Sequence, residues 1–398
     1  MGDKQKAPGD ANGPGAQVIT GSEPGSFAHG VLAERHPALI RRVREALPYG
    51  PRQHLALDAL MSEITRGVVE PLGPHAPDRE LWLCRGREHY GRPWFDAPFL
   101  WAESYFYRRL LAAVDYFTDG PWRGVDPFAP FKDLELRDDA VDDELRALDD
   151  LAAVPADERA RALLYASLWG NRADLGFSAA SDGPLGDAVP GLVADDSALL
   201  WELLPVGAPA TVSLIADNTG RELIPDLVLL DHLLGHGHAE RAVLYVKPYP
   251  YYVSDATTAD AVACLRRLMR APGEAGAIGT RLWAAMGSGS LEVRTHAFFC
   301  APLPYEDMPG DLRQDLRAGT VTILKGDLNY RRLVGDRLWD ATSPFADRTA
   351  SFPGAVAALR TLKSDVVVGL GPRMWSTLEE SGRDWRTGGT HALIQVRA

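Results

Sequence analysis

The chain has 398 residues with ordinary globular proportions, 46% hydrophobic and 24% charged. It is longer than the roughly 250–300 residues at which one core stops growing, so two structural units are expected. Its 54 Asp and Glu outnumber 42 Lys and Arg for a formal net charge of −12, which argues against a nucleic-acid polyanion as general partner but leaves room for a small phosphate at a local positive site.

Residues 1–26 hold no apolar run that could serve as a signal peptide and are expected to form a flexible tail. His36–Leu47 and Gln53–Val69 then show helical periodicity on either side of the turn Pro48-Tyr49-Gly50-Pro51. Phe99–Leu111 is apolar almost all round, which predicts a buried helix. Glu103 within it needs a partner or a cleft, and Arg108 or Arg109 is the expected partner. The acidic run between Lys132 and Asp150 reads as a solvated face. A helix over Ala156–Leu168 leads to Trp169-Gly170 and a polar corner containing Asn171 and Asp174, suited to capping or to ligand contact.

Ala198–Ala216 is the longest apolar stretch, but Glu202, Pro205, Gly207 and Pro209 interrupt it, so no membrane partner is expected. The scattered cysteines Cys84, Cys264 and Cys300 have no C-x-x-C spacing and fit a reducing cytoplasm. In the second half Thr211–Ala216, Ala242–Val246, Val321–Leu324, Asp365–Val368 and Ala392–Val396 read as short buried strands alternating with helices. That alternation predicts an α/β fold with a mostly parallel sheet covered on both faces. The expected division is a helical N-terminal domain over 27–195 and an α/β domain over 196–398.

Asp217 and Asn218 leave the carboxyl end of the first of these strands, with Gly220 allowing a sharp turn into a helix marked by Leu223, Leu227, Leu230 and Leu234. Ligands of open α/β sheets bind beyond such ends. An Asp beside an Asn offers hard oxygen donors of the kind Mg²⁺ or Mn²⁺ prefers, although the pair could also simply cap the helix. Val253-Ser254-Asp255 follows the second strand, Lys325-Gly326-Asp327-Leu328-Asn329-Tyr330-Arg331 the third, and Arg360-Thr361-Leu362-Lys363 stands before the fourth. Two carboxylates and an amide can hold one divalent cation, while lysine and arginine neutralise phosphoryl oxygens. There is no G-x-S-x-G elbow, no H-E-x-x-H, no Walker lysine loop and no full dinucleotide fingerprint. His232, His236 and His238 fall at a helix end, where the helix dipole favours histidine.

The combination of DNTGRELIPDLVLLDHLL, VSD at 253–255, KGDLNYR at 325–331, RTLKSDVVVGL at 360–370 and LWGNRADLG at 168–176 resembles the damage-control phosphatase family. The resemblance runs from about residue 28 onward and is closest to the branch with an Arg-Thr-x-Lys signature, here Arg360, Thr361 and Lys363. It implies a three-layer α/β/α sandwich carrying an N-terminal helical part. It also implies a metal held by Asp217, Asn218 and Asp255, with Mn²⁺, Mg²⁺, Co²⁺ or Ni²⁺ as cofactor, a phosphate-binding Lys363, and catalysis by Asp217, Asp255 and Lys363. Glu222, Asp327, Asn329, Tyr330, Arg331 and Arg360 are the implied substrate contacts, with Asn171, Asp174 and Glu103 on the other wall of the cleft. The implied activity is hydrolysis of phosphate monoesters of sugars or related phosphometabolites, with water or an aspartate as nucleophile. Arg221 departs from the apolar or smaller residue common at its position, which bears on substrate choice. Methyl transfer from S-adenosylmethionine to protein carboxyl groups, reported for one branch, is the alternative, as is repurposed metal chemistry in specialised metabolism.

Overall fold

Runs of β-branched and aliphatic residues build a seven-stranded sheet. Its strands are β2 (Leu192–Asp195), β3 (Thr211–Ile215), β4 (Arg241–Val246), β5 (Leu291–Thr295), β6 (Val321–Lys325), β8 (Ala355–Thr361) and β9 (Ala392–Arg397), in the order β2-β9-β8-β6-β3-β4-β5. A separate two-stranded ribbon joins β1 (Gln17–Val18) to β7 (Arg337–Leu338). The structure is a computed structural model that describes residues 15–170, 191–381 and 384–398. Every pairing in the large sheet is parallel except β8 with β9.

Side chains alternate across a strand, and here the alternation divides the core into two layers. Ile215, Val243, Tyr245 and Leu324 face the helices Pro51–Arg66, Phe99–Ala113 and Gly326–Val334. Their neighbours Leu214, Leu244, Val246 and Ile323 face the helices Asp139–Ala152, Ala156–Trp169, Leu223–Gly235 and Thr258–Met269. This is the three-layer α/β/α sandwich. The chain leaves β3 toward β4 and β5, then returns to place β6 on β3's other side. The strand order therefore reverses between β3 and β6, which opens a crevice at their carboxyl ends. Among the described residues no helix is long and apolar enough to cross a membrane.

Besides β2 and β5, which the sequence reading did not name, three details differ from it. Asp365–Val368 is not a strand; the strand is β8, so Lys363 lies past a carboxyl end instead of before a strand. The buried run has its backbone satisfied by side chains, since Gln395 Nε2 donates to the Val368 carbonyl at 2.7 Å and Arg360 reaches the Val366 carbonyl. With these partners it needs no ladder. Within the expected tail, Gln17 and Val18 pair with Leu338 and Arg337.

The third difference is Glu103, whose partner is Arg331 at 2.9 Å, while Arg108 binds Asp78 and Arg109 binds Glu63. Positions five and six residues on do not share a helical face with Glu103. Arg331 lies buried over the Phe99 ring, with Asp336 holding its Nε at 2.7 Å. Replacing Arg331 by Met would leave two enclosed carboxylates without a cation. The expected cost is about 3–5 kcal/mol, read from the urea midpoint; a loss under about 1 kcal/mol would show that the triad contributes little.

Candidate active site

Beyond β3 the backbone keeps pairing outside the sheet. Ala256 N–H donates to the Asp217 carbonyl at 2.9 Å and Thr219 N–H to the Ser254 carbonyl at 2.8 Å, so that Asn218 and Asp255 form an isolated antiparallel bridge. Asp217, Asn218 and Asp255, from two segments separated in sequence, are thereby brought to one corner. Ser254 Oγ donates to Asn218 Oδ1 at 2.8 Å, and Asn218 Nδ2 donates to Glu222 Oε2 at 3.0 Å. Asp255 Oδ2 accepts the Tyr252 N–H at 3.0 Å, and Lys363 Nζ stands 3.3 Å from Glu222 Oε1.

Glycine allows the two sides of the crevice to meet. Gly326, directly after β6, has a φ of +83°, and a Cβ there would stand 1.8 Å from Asp217 Oδ2. The helix Ala156–Trp169 ends at Gly170, with φ +53°, where a Cβ would stand 2.6 Å from Glu222 Cγ. Neither position can hold a side chain without displacing an acidic residue of the corner. Asn171 and Asp174, expected on this wall, lie outside the described residues.

Charge at the corner is predominantly negative. Burial first, then the neighbouring charges of Asp255 and Glu222, hold the Asp217 carboxyl well above its ordinary range, against the pull of Lys247 and Lys363. Burial also pushes Glu222 upward, but Lys363, the Asn218 amide and Lys325 bring it below its ordinary value. The Lys363 ammonium is raised chiefly by Glu222, in spite of burial. Among the described residues no group of three or more His, Cys, Asp or Glu side chains is gathered to hold a metal ion. The hard donors at the corner are the carboxylates of Asp217 and Asp255 and the amide oxygen of Asn218.

The turn carrying Lys363 is fixed from beneath. Arg360 is fully buried; its Nε donates to Asp327 Oδ1 at 2.8 Å and its Nη2 to Ser364 Oγ at 2.9 Å. Asp327 Oδ1 also accepts from Ser364 Oγ at 3.0 Å and from the Lys363 N–H at 3.3 Å. Burial raises Asp327, yet Arg360 and Arg331 hold it below the usual carboxylate range.

The row expected to face a substrate divides. Leu328 to Val334 are all buried in the helix Gly326–Val334. Asn329 donates to the carbonyls of Lys325 at 2.8 Å and Ala216 at 3.3 Å and accepts from Tyr305 at 2.9 Å. Tyr330 donates to Gln395 Oε1 at 2.8 Å, and Arg331 is held between Glu103 and Asp336. These three side chains, with Arg360, are each enclosed among protein partners. Arg221 is held by Glu144, its Nε 2.9 Å from Oε1.

One residue at the corner escaped the sequence reading. Lys247 follows β4 directly, two residues past the last registered pair with β3, Ile215↔Tyr245, and so takes the same step as Asp217. It is 1% exposed, and its Nζ has no hydrogen-bond partner among the described residues. The available signal was a lysine ending a buried strand one place from Pro248.

The sequence matches the family profile described as the damage-control phosphatase ARMT1-like domain over residues 31–376. It is 30% identical over 438 residues to Damage-control phosphatase ARMT1 of Danio rerio, covering 95% of this chain and 96% of that protein. The Rattus norvegicus protein of the same name is 29% identical over 429 residues, covering 95% and 97%. A solved DUF89 family protein from Pyrococcus horikoshii superposes with a TM-score of 0.47 at 14% identity, over 91% of this chain and 97% of that one. Since profile and relatives span the stretch from the N-terminal helices through the Asp217 corner to the Lys363 turn, the chain belongs to the damage-control phosphatase ARMT1-like family.

Proposed function

We propose that this protein is a metal-dependent phosphomonoester hydrolase acting on sugar phosphates or related phosphometabolites, with Asp217, Asn218 and Asp255 holding the divalent cation. The observation that carries this reading is the accumulation of buried negative charge around Asp217, which Lys247 and Lys363 oppose. Such a cluster is electrostatically incomplete by itself, and its oxygen donors suit Mg²⁺, Mn²⁺, Co²⁺ or Ni²⁺. When bound, a divalent cation supplies neutralising charge to the phosphoryl oxygens.

The remaining work falls to the chain's own groups. Glu222 orients the Asn218 amide and the Lys363 ammonium together. Lys363, whose side chain is 44% exposed, can turn from Glu222 to a phosphoryl oxygen as a point charge. Arg360 and Asp327 hold the turn beneath it, and Asn329 steadies the Ala216 carbonyl at the end of β3. Asp327 Oδ2 accepts no hydrogen bond among the described residues, which leaves it for a substrate hydroxyl. Loss of charge repulsion in the ester's transition state is then a matter of positioning and neutralisation. The relatives' name, damage-control phosphatase, supports the same reaction class.

Three outcomes are expected. Chelation, Asp217→Asn and Asp255→Asn each reduce phosphate release from p-nitrophenyl phosphate and a sugar-phosphate panel by about a hundredfold or more; equal metal-free turnover in wild type and both variants would remove the mechanism. Because the folded-state pKa of Asp217 is raised, the metal-free fold holds a proton that the unfolded chain releases. Apo stability should therefore decline as pH rises through that raised value, while Mn²⁺ affinity rises with pH and binding releases protons. Asp217→Asn should accordingly raise the apo melting temperature while abolishing activity, and a lower melting temperature would contradict the charge argument. Gly326→Ala should displace the Asp217 carboxylate and weaken Mn²⁺ binding at least about tenfold in a calorimetric titration; wild-type affinity would show that the contact can relax.

A further inference from the structure

Lys247 stands in a costly position. An ammonium carries three donors and accepts nothing, and removing it from water without an acceptor is strongly unfavourable. Lys247 is 1% exposed, and its Nζ finds no acceptor among the described residues. Its backbone is rigidly placed: the N–H donates to the Ala256 carbonyl at 2.8 Å, and the Ala256 N–H donates to the Asp217 carbonyl at 2.9 Å. One residue, Ala256, therefore ties Lys247 and Asp217 together at the ends of β4 and β3. The ammonium is close enough to act on the Asp217 carboxyl and on the Cys300 thiol, and the thiol is engaged with the Tyr249 carbonyl at 3.6 Å.

The other cation near Asp217 is already occupied. Lys363 is paired with Glu222 at 3.3 Å. Lys247 is thus the cation at this corner whose hydrogen-bonding capacity is unspent among the described residues, and it is enclosed where Lys363 is open. A phosphoryl group brings three peripheral oxygens and about two negative charges, more acceptors than one cation and the Lys363 ammonium cover.

We propose that Lys247 is a phosphate-binding residue of the site, its buried ammonium donating to a phosphoryl oxygen on the side opposite Lys363. This rests on the hydrolase reading for the location of the phosphoryl group. Between them the two lysines would hold the group from its enclosed and its open side, and the inner one would distinguish a tetrahedral oxyanion from a planar carboxylate by requiring an oxygen deep in the corner.

The test is calorimetric titration of the Mn²⁺-loaded full chain with inorganic phosphate, for wild type, Lys247→Met and Lys247→Arg. Lys247→Met should weaken phosphate binding about ten- to a hundredfold while Mn²⁺ affinity stays within about threefold of wild type, with Lys247→Arg falling between the two. Wild-type phosphate affinity in Lys247→Met would overturn the proposal. So would altered Mn²⁺ affinity with unchanged phosphate binding at saturating metal, because Lys247 would then act through Asp217. A wild-type protein that binds no phosphate overturns it as well. If Lys247→Met does not fold, the wild-type crystal soaked with Mn²⁺ and phosphate decides: an oxygen within hydrogen-bond distance of Nζ supports the assignment, and a bound phosphate out of its reach defeats it. A protein that binds phosphate through Lys247 yet releases none from any ester defeats the hydrolase reading and supports this one.

Discussion

Like charges held together away from water are the constraint on which the rest of this structure depends. Asp217 and Asp255 are each enclosed beside the other, with Glu222 behind. Carboxylates in that arrangement repel, and low local polarity strengthens the repulsion. The fold tolerates it because the strain is localised: backbone hydrogen bonds between 217–219 and 254–256 are insensitive to the side-chain charge and hold the acids in place. Functional groups that oppose stability in this way are common where a ligand supplies the missing charge.

Around the corner lies a framework of buried ion pairs that keeps its own charges balanced. Arg360 with Asp327, Arg331 with Glu103 and Asp336, and Lys325 with Asp226 at 3.0 Å each join elements distant in sequence. Paired charges of this kind add little net stability compared with apolar substitutes, but breaking one is expensive. Their role is geometric. The Arg360 pair fixes where Lys363 emerges, and the Lys325 pair, with Ser167 donating to Asp226 at 2.6 Å, draws the end of the Ala156–Trp169 helix toward β6. The crevice thus has an unbalanced centre within a balanced surround.

Much of this was legible in the sequence, and what was hidden has physical reasons. Periodicity gave the buried helix at Phe99 and the strands around Thr211, Ala242 and Val321, because burial on both faces demands unbroken apolar runs. Of the polar residues after those strands, Asp217, Asn218 and Asp255 meet at one corner. By contrast, Val366-Val367-Val368 has a strand's composition while side chains from β8 and β9 satisfy its backbone, a substitution that no local pattern reveals. Asn329, Tyr330 and Arg331 are substrate contacts by resemblance alone, and their hydrogen-bond partners at positions 216, 395 and 103 are ones that spacing along one helix cannot show. Lys247 was overlooked for the converse reason: a single lysine after an apolar run is commonplace, and its significance comes from the register between β3 and β4.

The position of β9 bears on how the protein is made. This strand inserts between β2 and β8, parallel to one and antiparallel to the other. During synthesis β2 is the first strand of the large sheet to emerge and has no sheet neighbour until β9 appears about half a chain later, and Gln395, which secures the run behind Lys363, arrives with it. Contacts so distant in sequence close slowly. A nascent polypeptide already bearing Asp217, Asp255 and Lys363 would therefore still lack the strand that secures the run behind the Lys363 turn.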